Sequence, residues 1–215
     1  MSGAPPAFGA PFRAELLRLL QWRRDVRRFR TDPVDDGLFQ EVIDTACLAP
    51  SVGLSQPWRF VTVDDPERRA AVRANFMRCN AAALAAQEGE RATLYASLKL
   101  AGLDRAPRHM AVFAVRSPSE GHGLGRATMP EMTAYSAVIA VHTVWLCARA
   151  AGLGLGWVSI LDPAEVSAAL EVDPEWVFIA YLCLGYAEAA DDRPALERAG
   201  WERRRGPSET VLLRR

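Results

Sequence analysis

Hydrophobic positions along this chain alternate between a helical and a strand-like rhythm. From Phe12 to Trp22, residues Phe12, Leu16, Leu19 and Leu20 recur at helical spacing, and the basic run Arg23-Arg24-Asp25-Val26-Arg27-Arg28 follows the end of that helix. A second helix is predicted from about Asp36 to Leu48, with Asp35 or Asp36 as its cap, Leu38, Phe39, Val42, Ile43 and Ala46 turned inward, and Ala49-Pro50 as its stop. Trp58 to Val63 is β-branched and aromatic, so it reads as a strand ended by Asp64-Asp65-Pro66. The stretch from Pro66 to about Gly102 is helical in composition and broken near Glu88-Gly89-Glu90, which predicts two helices. His109–Val115, Leu155–Ile160 and Trp176–Tyr186 complete the strands, and the last is apolar on both faces, as in a sheet covered by helices on both sides. Met132–Ala151 reads as a central buried helix, and Pro163–Leu170 as a short one with Asp162 as N-cap and Pro163 at its first position. Between them and the earlier strands, Ser117–Pro130 is aperiodic and glycine-containing, long enough for a mobile or active-site loop.

The length of 215 residues suits one domain: a loose arm over residues 1–11, rich in Pro, Ala and Gly, and a single unit from 12 to 215. Basic and acidic residues cancel at 26 each, which argues against a general affinity for nucleic acid or an anionic membrane; any anion site must be local. Ser136, His142, Thr143 and Arg149 interrupt the longest apolar stretch and argue against a membrane span. Cys47, Cys79, Cys147 and Cys183 are dispersed with no histidine at metal-ligand spacing, so buried thiols and no metal are expected. With no secretory leader pattern at the start, a cytoplasmic protein is expected.

Phosphate-loop signatures are absent, and the glycines of Gly152-Leu153-Gly154-Leu155-Gly156 precede a strand where a dinucleotide fold needs them to follow one. Three other elements carry candidate chemistry. The guanidinium groups of Arg23, Arg24 and Arg27 beside a helix end can fork around a phosphate, although a solvated charged face is the simpler reading of the run alone. Ala49-Pro50-Ser51-Val52-Gly53, followed by Gln56-Pro57-Trp58, could add a hydroxyl and free backbone N–H groups in a kinked loop, or could be only a helix stop and strand start. Gly154-Leu155-Gly156-Trp157-Val158-Ser159 could bring backbone and a hydroxyl against a flat ligand.

In this order, from about Phe12 to the tail, these residues resemble the FMN-dependent nitroreductase superfamily. With Asp25 inside the arginine run, A-P-S-V-G at 49–53, S-L-K-L-x-G at 97–102, G-W-V-S-I at 156–160 and L-C-L-G-Y at 182–186, the chain looks like the branch that makes 5,6-dimethylbenzimidazole. The resemblance implies an α+β sandwich, a mixed sheet flanked by helices, and an interlocked homodimer with FMN across its interface. Transferred residue by residue, it implies that Arg23, Arg24, Val26 and Arg27 surround the phosphate and polar ring edge and that Ser51 adds a contact from the partner chain. It further implies that Leu100 packs near the ring, that Trp157, Val158 and Ser159 line it, and that Arg204 (or its neighbour Arg203) holds the phosphate from the tail. The reaction it implies consumes reduced FMN and O₂ without a metal, yielding 5,6-dimethylbenzimidazole and erythrose 4-phosphate, with reduced FMN delivered by a separate NAD(P)H-dependent flavin reductase. Asp25 is then the proton shuttle and Ser159 a hydrogen-bonding partner at the flavin. Two other functions fit the same motifs. One is an NAD(P)H-dependent nitroreductase or quinone reductase that recycles its FMN; the other is a non-catalytic FMN-binding protein in which Asp25 merely pairs with the arginines.

Overall fold

Three of the helices begin where an acidic side chain can satisfy their open N–H groups. In the computed structural model, which describes residues 4–98 and 101–211, Asp35 accepts from the Leu38 N–H at 2.9 Å and starts α2 (Asp36–Ala46). Asp65 accepts from Glu67 and Arg68 and starts α3 (Pro66–Ala85), with Pro66 in the first turn. Asp162 does the same for α7 (Pro163–Ala169). The first helix, α1 (Ala10–Trp22), begins slightly before the hydrophobic spacing indicates, because Pro11 is pre-set for a first turn. The break at Gly89 is real: α4 (Gly89–Ser97) is separate from α3, and a short α5 (Gly102–Arg105) follows.

The strands β1 (Trp58–Thr62), β2 (Arg108–Val115), β3 (Gly154–Val158) and β4 (Trp176–Gly185) lie in the order β1-β2-β4-β3, with every neighbouring pair antiparallel. The four-stranded sheet is thus antiparallel throughout where a mixed one was expected, and the parallel component is an isolated bridge from Asp25 to Leu155 on the outer edge of β3, outside the strands themselves. Long α6 (Met132–Ala150) and α2 cover one face, packing Phe39, Val42, Val141 and Val144 on Met110, Val112, Leu155 and Leu182. On the other face α3 and α7 bring Val72 and Val166 onto Phe113, Val158, Tyr181 and Cys183. The apolar runs of β2 and β4 on both faces follow from this double cover. No helix among the described residues is long and apolar enough to cross a membrane.

Helix α1 buries no residue, and Phe12 and Leu17 are about half exposed. The tail forms two short helices, α8 (Ala195–Arg198) and α9 (Pro207–Thr210).

Candidate functional site

An edge strand leaves a row of N–H and C=O groups without partners, and β3 is such a strand. The segment after α1 takes up that row. Val26 N–H donates to the Leu155 carbonyl at 2.9 Å, and the Asp25 carboxylate accepts from the Trp157 N–H at 2.9 Å. Beyond it, Arg30 N–H reaches the Tyr186 carbonyl, Glu188 N–H reaches Arg28, and Phe29 is fully buried beneath. Positions 25–30 are thereby tied to β3 and to the chain just past β4, by backbone and by the Asp25 carboxylate.

Such close lacing explains the spaced glycines of β3. A Cβ on Gly156 would fall on the Val26 carbonyl oxygen, and one on Gly154 would meet Val26 Cγ2 at 2.7 Å. The close approach anticipated for a flat ligand is therefore taken, on this side, by the chain's own Val26. Val158 points into the core at 1 % exposure, so only its backbone can face a ligand.

Two adjoining cavities open along this segment. One, of about 290 Å³, is lined by Arg23, Arg24, Asp25, Arg27, Trp145, Leu196 and Arg204; the other, of about 320 Å³, by Arg24, Asp25, Arg27, Ser97, Leu98 and Asp191 among others. The structure thus brings Arg23, Arg24, Asp25, Arg27 and Arg204 together across nearly the whole chain. Ser51 and Ser159 line neither cavity. Ser51 sits in the loop before β1, and Ser159 is exposed just past the end of β3, which stops at Val158 and not at Ile160. Leu100 lies outside the described residues.

The electrostatics are lopsided. Burial and the neighbouring Arg204 hold the Arg23 guanidinium below its ordinary pKa, with Asp25 opposing, and burial, Arg204 and Arg23 do the same to Arg24. Arg24 donates to the Arg23 carbonyl at 2.7 Å and to the Asp192 carbonyl, yet its buried Nε has no partner among the described residues. A buried donor left open normally costs about 1–3 kcal/mol, and no described residue offsets that cost here. Asp25 is pushed the other way: burial raises its carboxyl pKa, while the Trp157 N–H and Arg27, whose Nε lies 3.6 Å from Oδ2, pull it back down.

The two tail arginines separate clearly. Arg203 is taken by Glu209 in a two-pronged pair at 2.9 and 2.7 Å, whereas the Arg204 guanidinium meets no carboxylate among the described residues and lines the cavity. Trp145 is a site residue that the sequence reading passed over within an apolar helix. Its indole N–H donates to the Arg24 carbonyl at 3.0 Å, and Arg23 stacks over its ring at 4.5 Å. An indole among the small and aliphatic residues of α6 was the available signal.

Residues 20–186 match the model of the nitroreductase family. The chain is 56 % identical over 200 residues to a 5,6-dimethylbenzimidazole synthase of Rhodospirillum rubrum, covering 93 % of this chain and 95 % of that protein. It is 50 % identical over 195 residues to one of Rhodobacter capsulatus, covering 91 % and 94 %. Among solved structures, an oxidised iodotyrosine deiodinase bound to FMN and 3-iodo-L-tyrosine superposes with a TM-score of 0.73 at 22 % identity, over 93 % of this chain and 97 % of that one.

Proposed function

The chain belongs to the nitroreductase family, among its 5,6-dimethylbenzimidazole synthases, and we propose that it converts reduced FMN and O₂ into 5,6-dimethylbenzimidazole and erythrose 4-phosphate at a site shared by two copies. The donor set fits FMN. Arg23, Arg24, Arg27 and Arg204 line one cavity with Asp25 as its single lining carboxylate, and the Arg24 Nε, without a partner among the described residues, offers the hydrogen bond that a phosphate oxygen would accept. Trp145, with its ring centroid 4.5 Å from the Arg23 guanidinium carbon, is proposed to position one prong of that clamp.

Bound FMN supplies the redox chemistry and the carbon skeleton of the product. What the chain adds is position and a proton site. The observation that carries the reading is Asp25. Its Oδ1 is anchored to the Trp157 N–H, its Oδ2 is turned toward Arg27, and its pKa is raised by burial, so the carboxyl can take up or release a proton beside the cavity without moving. Ser159, two residues beyond the anchoring Trp157, is proposed as a hydrogen-bonding partner on the same strand end. Of the remaining wall residues Val26 lines the larger cavity; Trp157 and the Val158 backbone, which line neither, are proposed to contact the flavin from the strand, and Leu100 is proposed to pack on the ring.

Ser51 lines neither arginine cavity of its own chain, which supports its use by a second copy. Around it lie exposed apolar side chains, Leu48 at 82 %, Leu54 at 76 % and Leu124 at 73 %, with Tyr135, Val138 and Ile139 exposed on α6. A homodimer would cover this surface. We further propose a cytoplasmic enzyme supplied with reduced FMN by a separate NAD(P)H-dependent flavin reductase.

Incubation with chemically reduced FMN in air, followed by mass analysis, should yield 5,6-dimethylbenzimidazole. Flavin recovered intact after repeated cycles, together with rapid anaerobic bleaching of bound FMN by NADH, would instead establish the ordinary nitroreductase.

A further inference from the structure

The loop that carries Ser51 is backed by a second loop, and the two touch through glycines. Gly53 and Gly121 have φ of +56° and +74°, and a Cβ built on Gly121 would lie 2.6 Å from the Gly53 carbonyl oxygen and 3.1 Å from Ser55 Cβ. A Cβ on Gly53 would come within 3.0 Å of the Gly121 carbonyl, and one on Gly125, also at φ +74°, within 2.9 Å of Val52 Cγ2 and of nothing else within 4 Å. From below, Ser136 of α6 accepts the Val52 N–H at 3.0 Å while its own hydroxyl donates to the Met132 carbonyl. Ser51 Oγ accepts the Gln56 N–H at 3.0 Å, and its O–H has no acceptor among the described residues.

We infer that the Gly121–Gly125 loop is a positioning element of the flavin site: backbone packed on backbone, it sets where the Ser51 hydroxyl points. The inference rests on the proposal that Ser51 contacts FMN. Only glycine permits both the left-handed backbone and the separation seen at positions 53 and 121. A methyl group at 121 cannot be absorbed by a flexible side chain, because the atoms it meets first belong to the backbone that follows Ser51.

Gly123 provides a matched control, since its φ is +75° but its nearest neighbour is Arg126 Nη2 at 3.9 Å. Gly121→Ala and Gly123→Ala should suffer the same backbone strain, and only the first should displace Ser51. FMN titration of the full-length protein should show Gly121→Ala weakened about tenfold or more, Gly123→Ala within about twofold, and Gly121→Ala without further effect in a Ser51→Ala background. Should Gly121→Ala fail to fold, Gly125→Ala should weaken FMN binding and Val52→Ala should restore it, because Val52 Cγ2 is the atom in the way. Equal losses for positions 121 and 123, multiplying losses in the double variant, or no rescue by Val52→Ala would overturn the inference. Unchanged FMN binding in Ser51→Ala would remove Ser51 from the site and the inference with it. A weakened Ser51→Ala beside an unaffected Gly121→Ala would overturn the positioning role alone.

Discussion

Arg23–Arg27 and the tail from Asp191 to Arg204 face each other across the same cavities, yet they are held by different kinds of bond. The first segment is laced into β3 by Val26, by the Asp25 carboxylate on the Trp157 N–H, and by glycines that admit the Val26 backbone. The tail is braced within itself by surface ion pairs, Arg198 with Asp191 at 3.1 Å and Arg203 with Glu209, and meets the rest of the chain through the Arg24 bond to the Asp192 carbonyl and through Trp201 edge-on to Tyr95 with ring centroids 6.2 Å apart. Exposed ion pairs contribute little to stability, whereas a displaced backbone on a sheet edge is costly. The difference teaches where the two halves of the site get their precision: the Asp25 carboxyl, proposed to handle protons, is laced to the sheet edge, while Arg204, proposed to hold a phosphate, reaches the same cavity from a tail with few bonds to the sheet.

The largest break in that comparison should come from Gly156→Ala. Its methyl would land on the Val26 carbonyl oxygen, so the loss in thermal or denaturant unfolding should reach or exceed the upper end of the about 1–3 kcal/mol usual for overpacked sites, and FMN binding should go with it. The matched change in the tail, Gly200→Ala, meets nothing within 4 Å and pays only for its φ of +76°, so FMN binding should stay close to that of the unchanged protein.

Acid should attack the sheet side next. His109, buried against Tyr181 with Nδ1 3.0 Å from the phenol oxygen, has its pKa lowered by burial to about 4. The folded state therefore holds it neutral while the unfolded chain protonates near pH 6.5, so its contribution is complete above about pH 6.5 and is lost as pH falls toward 4, up to about 3 kcal/mol. Urea unfolding at pH 7 and pH 4.5 should show this loss, and His109→Gln should flatten it.

A smaller effect is expected from the tail. Arg204→Gln should weaken FMN binding by about ten- to a hundredfold, the scale of one charge-assisted hydrogen bond, and Arg203→Gln by little, since Glu209 already holds Arg203. Equal losses by calorimetry would show that the two arginines share the phosphate.

Much of this could be read from local chemistry. Asp65-Pro66 and Asp162-Pro163 announce helix starts because cap and first-turn geometry are local, and the break at Gly89 is equally local. What the spaced glycines of β3 approach could not be read, because a missing Cβ signals proximity without naming the neighbour; here it is Val26. Arg23, Arg24, Asp25, Arg27 and Arg204 were legible as a set through the family resemblance, while the distinction between Arg203 and Arg204 depended on where Glu209 folds back. Strand direction was also hidden, since apolar runs on both faces suit parallel and antiparallel sheets alike once helices cover both sides.

The central claim is that Asp25 moves protons while the surrounding arginines bind. Asp25→Asn retains the size of the side chain and an oxygen able to accept the Trp157 N–H, so it isolates the ionisable group. FMN affinity and the yield of 5,6-dimethylbenzimidazole from reduced FMN in air, measured on one preparation of this variant, test the claim directly. The account predicts affinity within a fewfold of the unchanged protein and product formation slowed by about two to four powers of ten, as for loss of a general acid–base group. Normal product formation with weakened FMN binding would contradict it and leave Asp25 as a partner of the arginines alone.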